Sequence, residues 1–185
     1  MIQEEIYQPD EDSFLLQKYV EKYSNGKVLD VGTGSGIQAI TALKYANEVV
    51  AVDINENATQ LLKPLEKLHE NLKVKVSDLF NDVDGKFDII IFNPPYLPYD
   101  PDYDINNASI CGGFLGCELI QKFLQNLDNH LKDTGISLIV FSSLSNQDKI
   151  IKESKRNGFK ITILEYIKFP FETIFVGKIE KLLMN

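Results

Sequence analysis

The chain contains few of the residues that most often bind phosphate or metal ions or that form disulfides. Its 185 residues include a single arginine, Arg156, two cysteines, two histidines and no tryptophan. Arginine makes the best bidentate contacts with phosphate, and a net charge of −8 further disfavours a broad nucleic-acid surface, although the lysines leave room for a local basic patch. Cys111 and Cys117 lack zinc-ligand spacing. We therefore expect no metal site, and a protein or small molecule as the substrate.

Long apolar runs are also missing. None approaches the roughly 20 residues of a membrane span, and the first residues, MIQEEIYQPDED, are acidic rather than typical of a signal peptide. The length and the 44% hydrophobic content suit a domain with a sizeable core. We therefore expect one domain over residues 1–185, located in the cytoplasm and without membrane contact.

Strand-like and helix-like segments alternate along the chain. Strands are predicted at 27–31, 48–53, 74–78, 87–92 and 135–141, followed by a closing antiparallel pair at 159–167 and 171–179. Helices are predicted after Asp12 and over 35–46, 56–70, 120–131 and 147–156. Such alternation is typical of a parallel sheet covered by helices on both faces. The sequence predicts an α/β fold with a Rossmann-like, doubly wound, mainly parallel sheet of seven strands and an antiparallel C-terminal strand.

The third predicted strand should form an edge of that sheet. Lys73 and Lys75 alternate there with Leu72, Val74 and Val76. Lysines on an edge strand usually prevent aggregation, and this is the simpler interpretation. The alternative is that the same edge accepts a strand from a partner.

The segment VLDVGTGSGIQAI, residues 28–40, connects the first strand to the next helix through a glycine-rich turn. Gly32, Gly34 and Gly36 let the backbone approach a ligand without intervening side chains. A dinucleotide fingerprint needs its last glycine where Ile37 stands, and the Gly-Lys-Ser/Thr of a P-loop is missing. The turn is therefore predicted to bind a nucleoside without a strong phosphate cradle. A tight strand-to-helix connection is the plainer alternative.

Three aspartates lie in or just after the first three predicted strands. Asp53 ends the second strand, where a carboxylate commonly binds ribose hydroxyls. Asp78 follows the third strand, where it is placed to accept a hydrogen bond from an adenine amino group, with Leu79 against the ring. With Asp30 they would form an acidic pocket suited to S-adenosylmethionine, a cationic nucleoside without phosphate. Alone, an aspartate at a strand end is more often a turn or helix cap.

The fourth predicted strand ends at Asn93-Pro94-Pro95-Tyr96. Proline cannot extend a hydrogen-bond ladder and restricts the residue before it, so the turn is predicted to be stiff. The Asn93 side-chain oxygen and the Pro94 carbonyl would then accept both hydrogens of a planar NH₂ group, while Tyr96 stacks on its face. We call these three residues the amino-group clamp. It suits methyl transfer to an amide or ring nitrogen; a simple strand terminator is the alternative.

These motifs resemble the class I S-adenosylmethionine-dependent methyltransferases, and specifically the HemK-like glutamine methyltransferases. VLDVGTGSG resembles motif I and NPPY the clamp, while IYQPDEDSFLL and GGFLG resemble segments of the short archaeal and eukaryotic branch. The resemblance implies N5-methylation of the glutamine in the Gly-Gly-Gln loop of a peptide-chain release factor. It also implies a small zinc-binding activator subunit in a heterodimer, and an N-terminal segment, residues 1–25, that covers the cofactor site. Ser13 and Asp30 replace an expected threonine and glutamate but keep the hydroxyl and the carboxylate.

The predicted site has a catalytic part and a cofactor-binding part. The catalytic residues are Asn93, Pro94, Pro95 and Tyr96. The cofactor-binding residues are Ser13, Asp30, Gly32, Gly34, Asp53, Asp78, Leu79 and Asn93. Three other functions stay open: methylation of an exocyclic amine of adenine or guanine, methylation of a protein lysine, and a catalytically silent scaffold subunit that binds the cofactor.

Overall fold

A seven-stranded sheet with helices on both faces forms the centre of the computed structural model, which describes residues 6–101 and 110–182. The strands are β1 (Lys27–Val31), β2 (Glu48–Asp53), β3 (Leu72–Val76), β4 (Phe87–Phe92), β5 (Leu131–Ser142), β6 (Phe159–Lys168) and β7 (Thr173–Lys181). The helices are α1 (Glu11–Tyr23), α2 (Ile37–Ala42), α3 (Glu56–Leu68), α4 (Glu118–His130) and α5 (Gln147–Arg156).

The sheet has the order β3-β2-β1-β4-β5-β7-β6. The pairs β1–β2, β2–β3, β1–β4 and β4–β5 are parallel, whereas β7 is antiparallel to both of its neighbours. The predicted fold class is confirmed, including the antiparallel C-terminal strand and the edge position of β3. Strand order changes direction between β1 and β4, and ligands of such sheets bind beyond the carboxyl ends of the strands at this switch point.

Alternate residues of the central strands supply two separate cores. Leu29 and Ile90 face a core that includes Phe123 of α4, whereas Val28 and Ile89 face a core that includes Leu16 of α1. This division follows from the two-residue period of a strand, because both faces of a parallel sheet are covered. Four of the apolar positions predicted for α4 are at most 1% exposed: Ile120, Phe123, Leu124 and Leu127.

Several element boundaries differ from the predicted ones. Helix α2 spans Ile37–Ala42 instead of 35–46, because its N-terminal neighbour Gly36 has a φ of +83°. A Cβ at Gly36 would lie 2.3 Å from Leu62 Cδ2, so the turn there packs directly against α3. Strand β3 ends at Val76 rather than at 78 because Ser77 begins a turn, while its N–H still bonds to the Asp53 carbonyl.

Leu131 was predicted as the end of α4, but it is the first residue of β5. It pairs with Phe87 of β4, and the register shifts between Phe87 and Ile89. None of the helices within residues 6–101 and 110–182 has the length and apolar character needed to cross a bilayer.

Candidate active site

A cavity of about 1070 Å³ opens beyond the carboxyl ends of β1, β2, β3 and β4. Its wall includes all eleven residues that the sequence analysis assigned to catalysis or cofactor binding. The segment before α1 and the first turn of that helix also line it, through Tyr7, Asp12 and Ser13. The structure therefore brings the predicted residues together at the switch point, from five separate segments of the chain.

The glycine-rich turn after β1 depends on backbone conformations that favour glycine. Gly32 and Gly34 have φ values of +64° and +52°. A Cβ added at Gly34 would meet no atom closer than the Tyr7 carbonyl oxygen, at 3.9 Å. Conformation rather than lack of space therefore calls for glycine at this position, and the turn presents bare backbone to the cavity.

Asp30 is buried at the end of β1 and braces the turn that follows. Its Oδ2 accepts hydrogen bonds from Thr33 Oγ1 at 2.6 Å and from the Ala39 N–H at 3.0 Å. Burial raises the pKa of this carboxyl to about 7, although both hydrogen bonds act in the opposite direction. Asp30 therefore connects β1 to α2 besides lining the cavity.

Asp53, at the end of β2, connects the glycine-rich turn to the start of α3. Its Oδ2 accepts from the Gly34 N–H at 2.8 Å and its Oδ1 from the Asn55 N–H at 2.9 Å. The carboxylate is 8% exposed and belongs to the cavity wall. It lies where the sequence predicted a ribose-binding group, and it also fixes the spacing between two of the loops that surround that position.

The turn after β3 contains an unusual backbone conformation. Asp78 is exposed, and Leu79 has a φ of +51°, which is uncommon for a residue with a side chain. Ser77 stabilises this turn, because its hydroxyl donates to the Leu79 carbonyl at 3.0 Å and accepts from the Asp82 N–H at 3.0 Å. The sequence analysis did not assign a role to Ser77, which holds Leu79 against the cavity.

The amino-group clamp is anchored through the donor end of the Asn93 amide. Asn93 Nδ2 donates to Asp12 Oδ2 at 3.1 Å and to Ser13 Oγ at 3.3 Å. Asn93 Oδ1 is buried and has no hydrogen-bond partner among the described residues. Since a buried acceptor without a partner is costly, this oxygen is the strongest structural sign of a ligand position.

Tyr96 is held at both its main chain and its phenol. Its carbonyl accepts from Ser145 Oγ at 2.8 Å, and its hydroxyl donates to Asp12 Oδ2 at 3.2 Å. Burial, followed by the nearby Asp12, raises the pKa of Tyr96 well above its usual value. The phenol therefore stays a neutral donor, and the ring has a fixed orientation in the cavity wall.

The main functional candidate that the sequence analysis missed is Asp12. It is 3% exposed and lies four residues before the buried Leu16, on the apolar stripe of α1. The acidic run around it is typical of a helix start, and Asp10 is indeed the N-cap. The signal that distinguishes Asp12 from its acidic neighbours is this helical spacing.

Helix α1 also contacts the cofactor side of the cavity. Gln38 Nε2, on α2, donates to the Ser13 carbonyl at 2.8 Å, and Gln17 Nε2 donates to Thr41 Oγ1 at 2.9 Å. Ser13 thus touches Asn93 with its hydroxyl and α2 with its carbonyl. Through this residue α1 joins the glycine-rich turn to the amino-group clamp.

Comparison with known proteins identifies the family. The sequence model of the family described as the methyltransferase small domain matches residues 7–162 of this chain. This chain belongs to that family. Among its relatives, a Methanocaldococcus jannaschii protein, provisionally named a protein N5-glutamine methyltransferase, is 42% identical over 93% of this chain and 90% of its own length. The release factor glutamine methyltransferase of Lactococcus lactis is 35% identical to this chain. The match covers 59% of this chain and 44% of that relative.

Solved methyltransferase structures share the fold. The structure of the E. cuniculi Mtq2–Trm112 complex, described as responsible for methylation of the translation termination factor eRF1, matches 95% of this chain and 98% of its own with a TM-score of 0.76 and 26% identity. A ribosomal protein L11 methylase from Lactobacillus delbrueckii matches 95% of this chain and 81% of its own with a TM-score of 0.69. At 23% identity, this match shows a shared fold alone. Methyltransferases of this family use S-adenosylmethionine, so the predicted enzyme class and cofactor are confirmed.

The cavity has an acidic lining that suits a cationic cofactor. Asp30, Asp53 and Asp78 line it, and carboxylates favour a cationic nucleoside. The bare backbone at Gly34 leaves room for close approach of a ligand, and Asn93 of the same cavity wall has a buried Oδ1 with no partner among the described residues.

Proposed function

We propose that this protein methylates N5 of the glutamine in the Gly-Gly-Gln loop of a peptide-chain release factor, with S-adenosylmethionine as the methyl donor. The names of the M. jannaschii and L. lactis relatives and the description of the Mtq2–Trm112 complex support this substrate. The observation that carries the proposal is that Oδ1 of Asn93, a residue of the cavity wall, is buried and has no hydrogen-bond partner in the part of the chain that the structure describes. A glutamine side chain offers the NH₂ group that such an acceptor needs.

The amino-group clamp would act on the amide nitrogen in two ways. Asn93 Oδ1 and the Pro94 carbonyl accept its two hydrogens, while the Tyr96 ring packs on the planar amide. These contacts orient the nitrogen and favour the pyramidal form in which its lone pair is available. The cofactor supplies a methyl group activated by a sulfonium. As the new C–N bond formed, the methyl–sulfur bond of the cofactor would break, and the two fixed acceptors would stabilise the positive charge on nitrogen until one of its two protons is lost to solvent.

The remaining predicted residues would bind the cofactor. Gly32 and Gly34 supply the bare turn, Asp53 the ribose contact and Asp78 the contact with the adenine amino group. Asp30 braces the turn that would hold the cofactor, through Thr33 and the Ala39 N–H, and Leu79 and Ser13 complete the wall. All seven line the same cavity.

The same geometry supports a proposal for the domain organisation. We propose a single class I methyltransferase domain over residues 1–185, in which the N-terminal segment, residues 1–25, covers the cofactor. Residues 1–5 lie outside the described part of the chain. Ile6 and Tyr7 line the cavity, and the Tyr7 carbonyl lies close to the position of Gly34, which supports this role. We also propose a cytoplasmic location, where translation takes place.

A small zinc-binding activator subunit is the proposed partner. Support comes from the two-protein Mtq2–Trm112 complex and from apolar side chains on β3 and the adjoining α3: Val76 is 48% exposed and Leu68 is 75% exposed. The main-chain N–H and C=O of Val74 on this edge already bond to Glu66 Oε1 at 2.9 Å and to Lys63 Nζ at 2.8 Å. A partner strand added along β3 would have to replace these two contacts.

Labelled S-adenosylmethionine, offered with purified release factor and with or without the activator, tests the substrate. We expect label on the Gly-Gly-Gln glutamine, located by mass spectrometry. Asn93→Ala should lower turnover by about 10²–10³-fold, as loss of one transition-state contact typically does, while cofactor affinity stays unchanged. Asn126→Ala, on the exposed face of α4, is the matched control. Label on a nucleobase amine or a lysine instead, or full turnover by Asn93→Ala, would refute the proposal.

A further inference from the structure

Asp12 is a buried carboxylate that gathers hydrogen-bond donors from both sides of the cavity. Its Oδ1 accepts from the Tyr7 hydroxyl at 3.0 Å, from the Ser13 hydroxyl at 3.1 Å and from the Ser13 N–H. Its Oδ2 accepts from Asn93 Nδ2 at 3.1 Å and from the Tyr96 hydroxyl at 3.2 Å. Two members of the amino-group clamp therefore share one oxygen of this carboxylate.

These contacts decide which end of the Asn93 amide faces the cavity. The oxygen and nitrogen ends of an amide have nearly the same shape, so their hydrogen-bond partners select the orientation. A carboxylate accepts hydrogen bonds only. The Ser13 hydroxyl gives its hydrogen to Asp12, so it also presents a lone pair to Asn93 Nδ2. A flipped amide would place Oδ1 against two acceptors, and this repulsion keeps Nδ2 on Asp12 and Ser13 and leaves Oδ1 as the end with no partner among the described residues.

We propose that Asp12 is a positioning residue that makes the site select an amino group over a carboxylate. Because it orients Asn93, the cavity presents an acceptor, which attracts the NH₂ of glutamine and repels the oxygen of glutamate. Through the Tyr96 hydroxyl it also fixes the ring that packs on the bound group. The inference rests on the proposed glutamine substrate and assigns its selection to a residue outside the NPPY motif.

Asp12→Asn tests this assignment with almost no change in shape. A neutral amide at position 12 can donate as well as accept, so Asn93 is free to turn its NH₂ towards the cavity. We compare competitive inhibition by peptides containing Gly-Gly-Gln and Gly-Gly-Glu. The wild-type preference for glutamine should fall at least tenfold in the variant, and kcat should fall at least tenfold, while the Kd of the cofactor changes less than threefold. Glu21→Gln removes a charge from an exposed position of α1 outside the cavity lining and serves as the control.

A reciprocal exchange gives a second test that does not depend on the stability of the single variant. Asp12→Asn combined with Asn93→Asp again places one amide against one carboxylate. The amide is now at position 12 and can donate to the carboxylate at position 93. One oxygen of that new carboxylate then faces the cavity as an acceptor. The double variant should recover at least tenfold in glutamine-peptide affinity over either single variant.

The outcomes separate the two proposals. If wild-type protein neither methylates nor prefers the glutamine peptide, the proposed function fails, and the inference fails with it. If the wild type prefers glutamine and folded Asp12→Asn keeps that preference, only the role of Asp12 is refuted. Additive effects of the two substitutions in the exchange would refute it as well, since independent sites show no coupling.

Discussion

The burial of Asp30 should make the stability of the protein depend on pH in a way that one substitution removes. The pKa of this carboxyl rises from 3.8 to about 7 on folding, chiefly because of burial. Between these values the folded protein keeps a proton that the unfolded chain releases, so stability falls as the pH rises from about 4 to 7 and is constant above that range. At about 1.4 kcal/mol per pH unit, the contribution is about 4 kcal/mol.

Asp30→Asn removes this contribution, since the amide oxygen can still accept from Thr33 and the Ala39 N–H. From pH 4 to pH 8 the wild type should therefore lose about 4 kcal/mol of unfolding free energy that the variant does not lose. Carboxyls whose pKa is lowered, such as Glu48 and Asp88, contribute equally to both proteins and cancel in the difference.

Urea unfolding followed by circular dichroism at several pH values measures this difference. Asp84→Asn, which removes a charge from a side chain that is 99% exposed, serves as the surface control. A difference between wild type and Asp30→Asn that does not vary with pH would refute the argument. It would mean that the two hydrogen bonds to Asp30 fully offset the cost of burying its charge.

Two further predictions concern the glycine-rich turn and the sheet edge. Gly36→Ala should lower the free energy of unfolding by at least about 2 kcal/mol more than Gly158→Ala does, as measured by urea unfolding. Both glycines have φ near +80°, but the added Cβ at Gly36 would lie 2.3 Å from Leu62 Cδ2, whereas the one at Gly158 meets no atom of residues 6–101 and 110–182 within 4 Å; equal losses would contradict the clash. Val76→Pro should weaken binding of the proposed activator at least tenfold in calorimetry, because Ser77 bonds inward to β2 and the N–H of Val76 therefore points outward. Val76→Thr keeps that N–H as the control, and equal binding by all three proteins would place the activator elsewhere.

Local patterns were sufficient to predict much of the fold and the outline of the site. Continuous apolar runs identify β1, β2 and β4, and their order along the chain implies where their carboxyl ends meet. Asp53 and Asn93 could be predicted for this reason, since each directly follows or ends such a run. The edge position of β3 follows from the same topology.

Features that depend on distant contacts were not predicted. Gly36, whose left-handed φ precedes α2, also packs against Leu62, and the two are 26 positions apart in sequence. Asp12 lies in an acidic run; its spacing from Leu16 places it on the buried side of α1, but its role follows from its contacts with Asn93 and Tyr96, more than 80 residues away. A side chain whose role is to orient another one carries no motif of its own.

The position of Ser13 has a consequence for how the two substrates affect one another. Its carbonyl is held by Gln38 beside the glycine-rich turn, and its hydroxyl contacts the Asn93 amide. If cofactor binding shifted α1, Ser13 alone would therefore connect that shift to the Asn93 amide of the amino-group clamp. Affinities for the methyl donor and for the methylated side chain would then be linked, and by thermodynamic reciprocity each would change the other by the same factor. One turn of helix would then connect the two binding positions of the cavity.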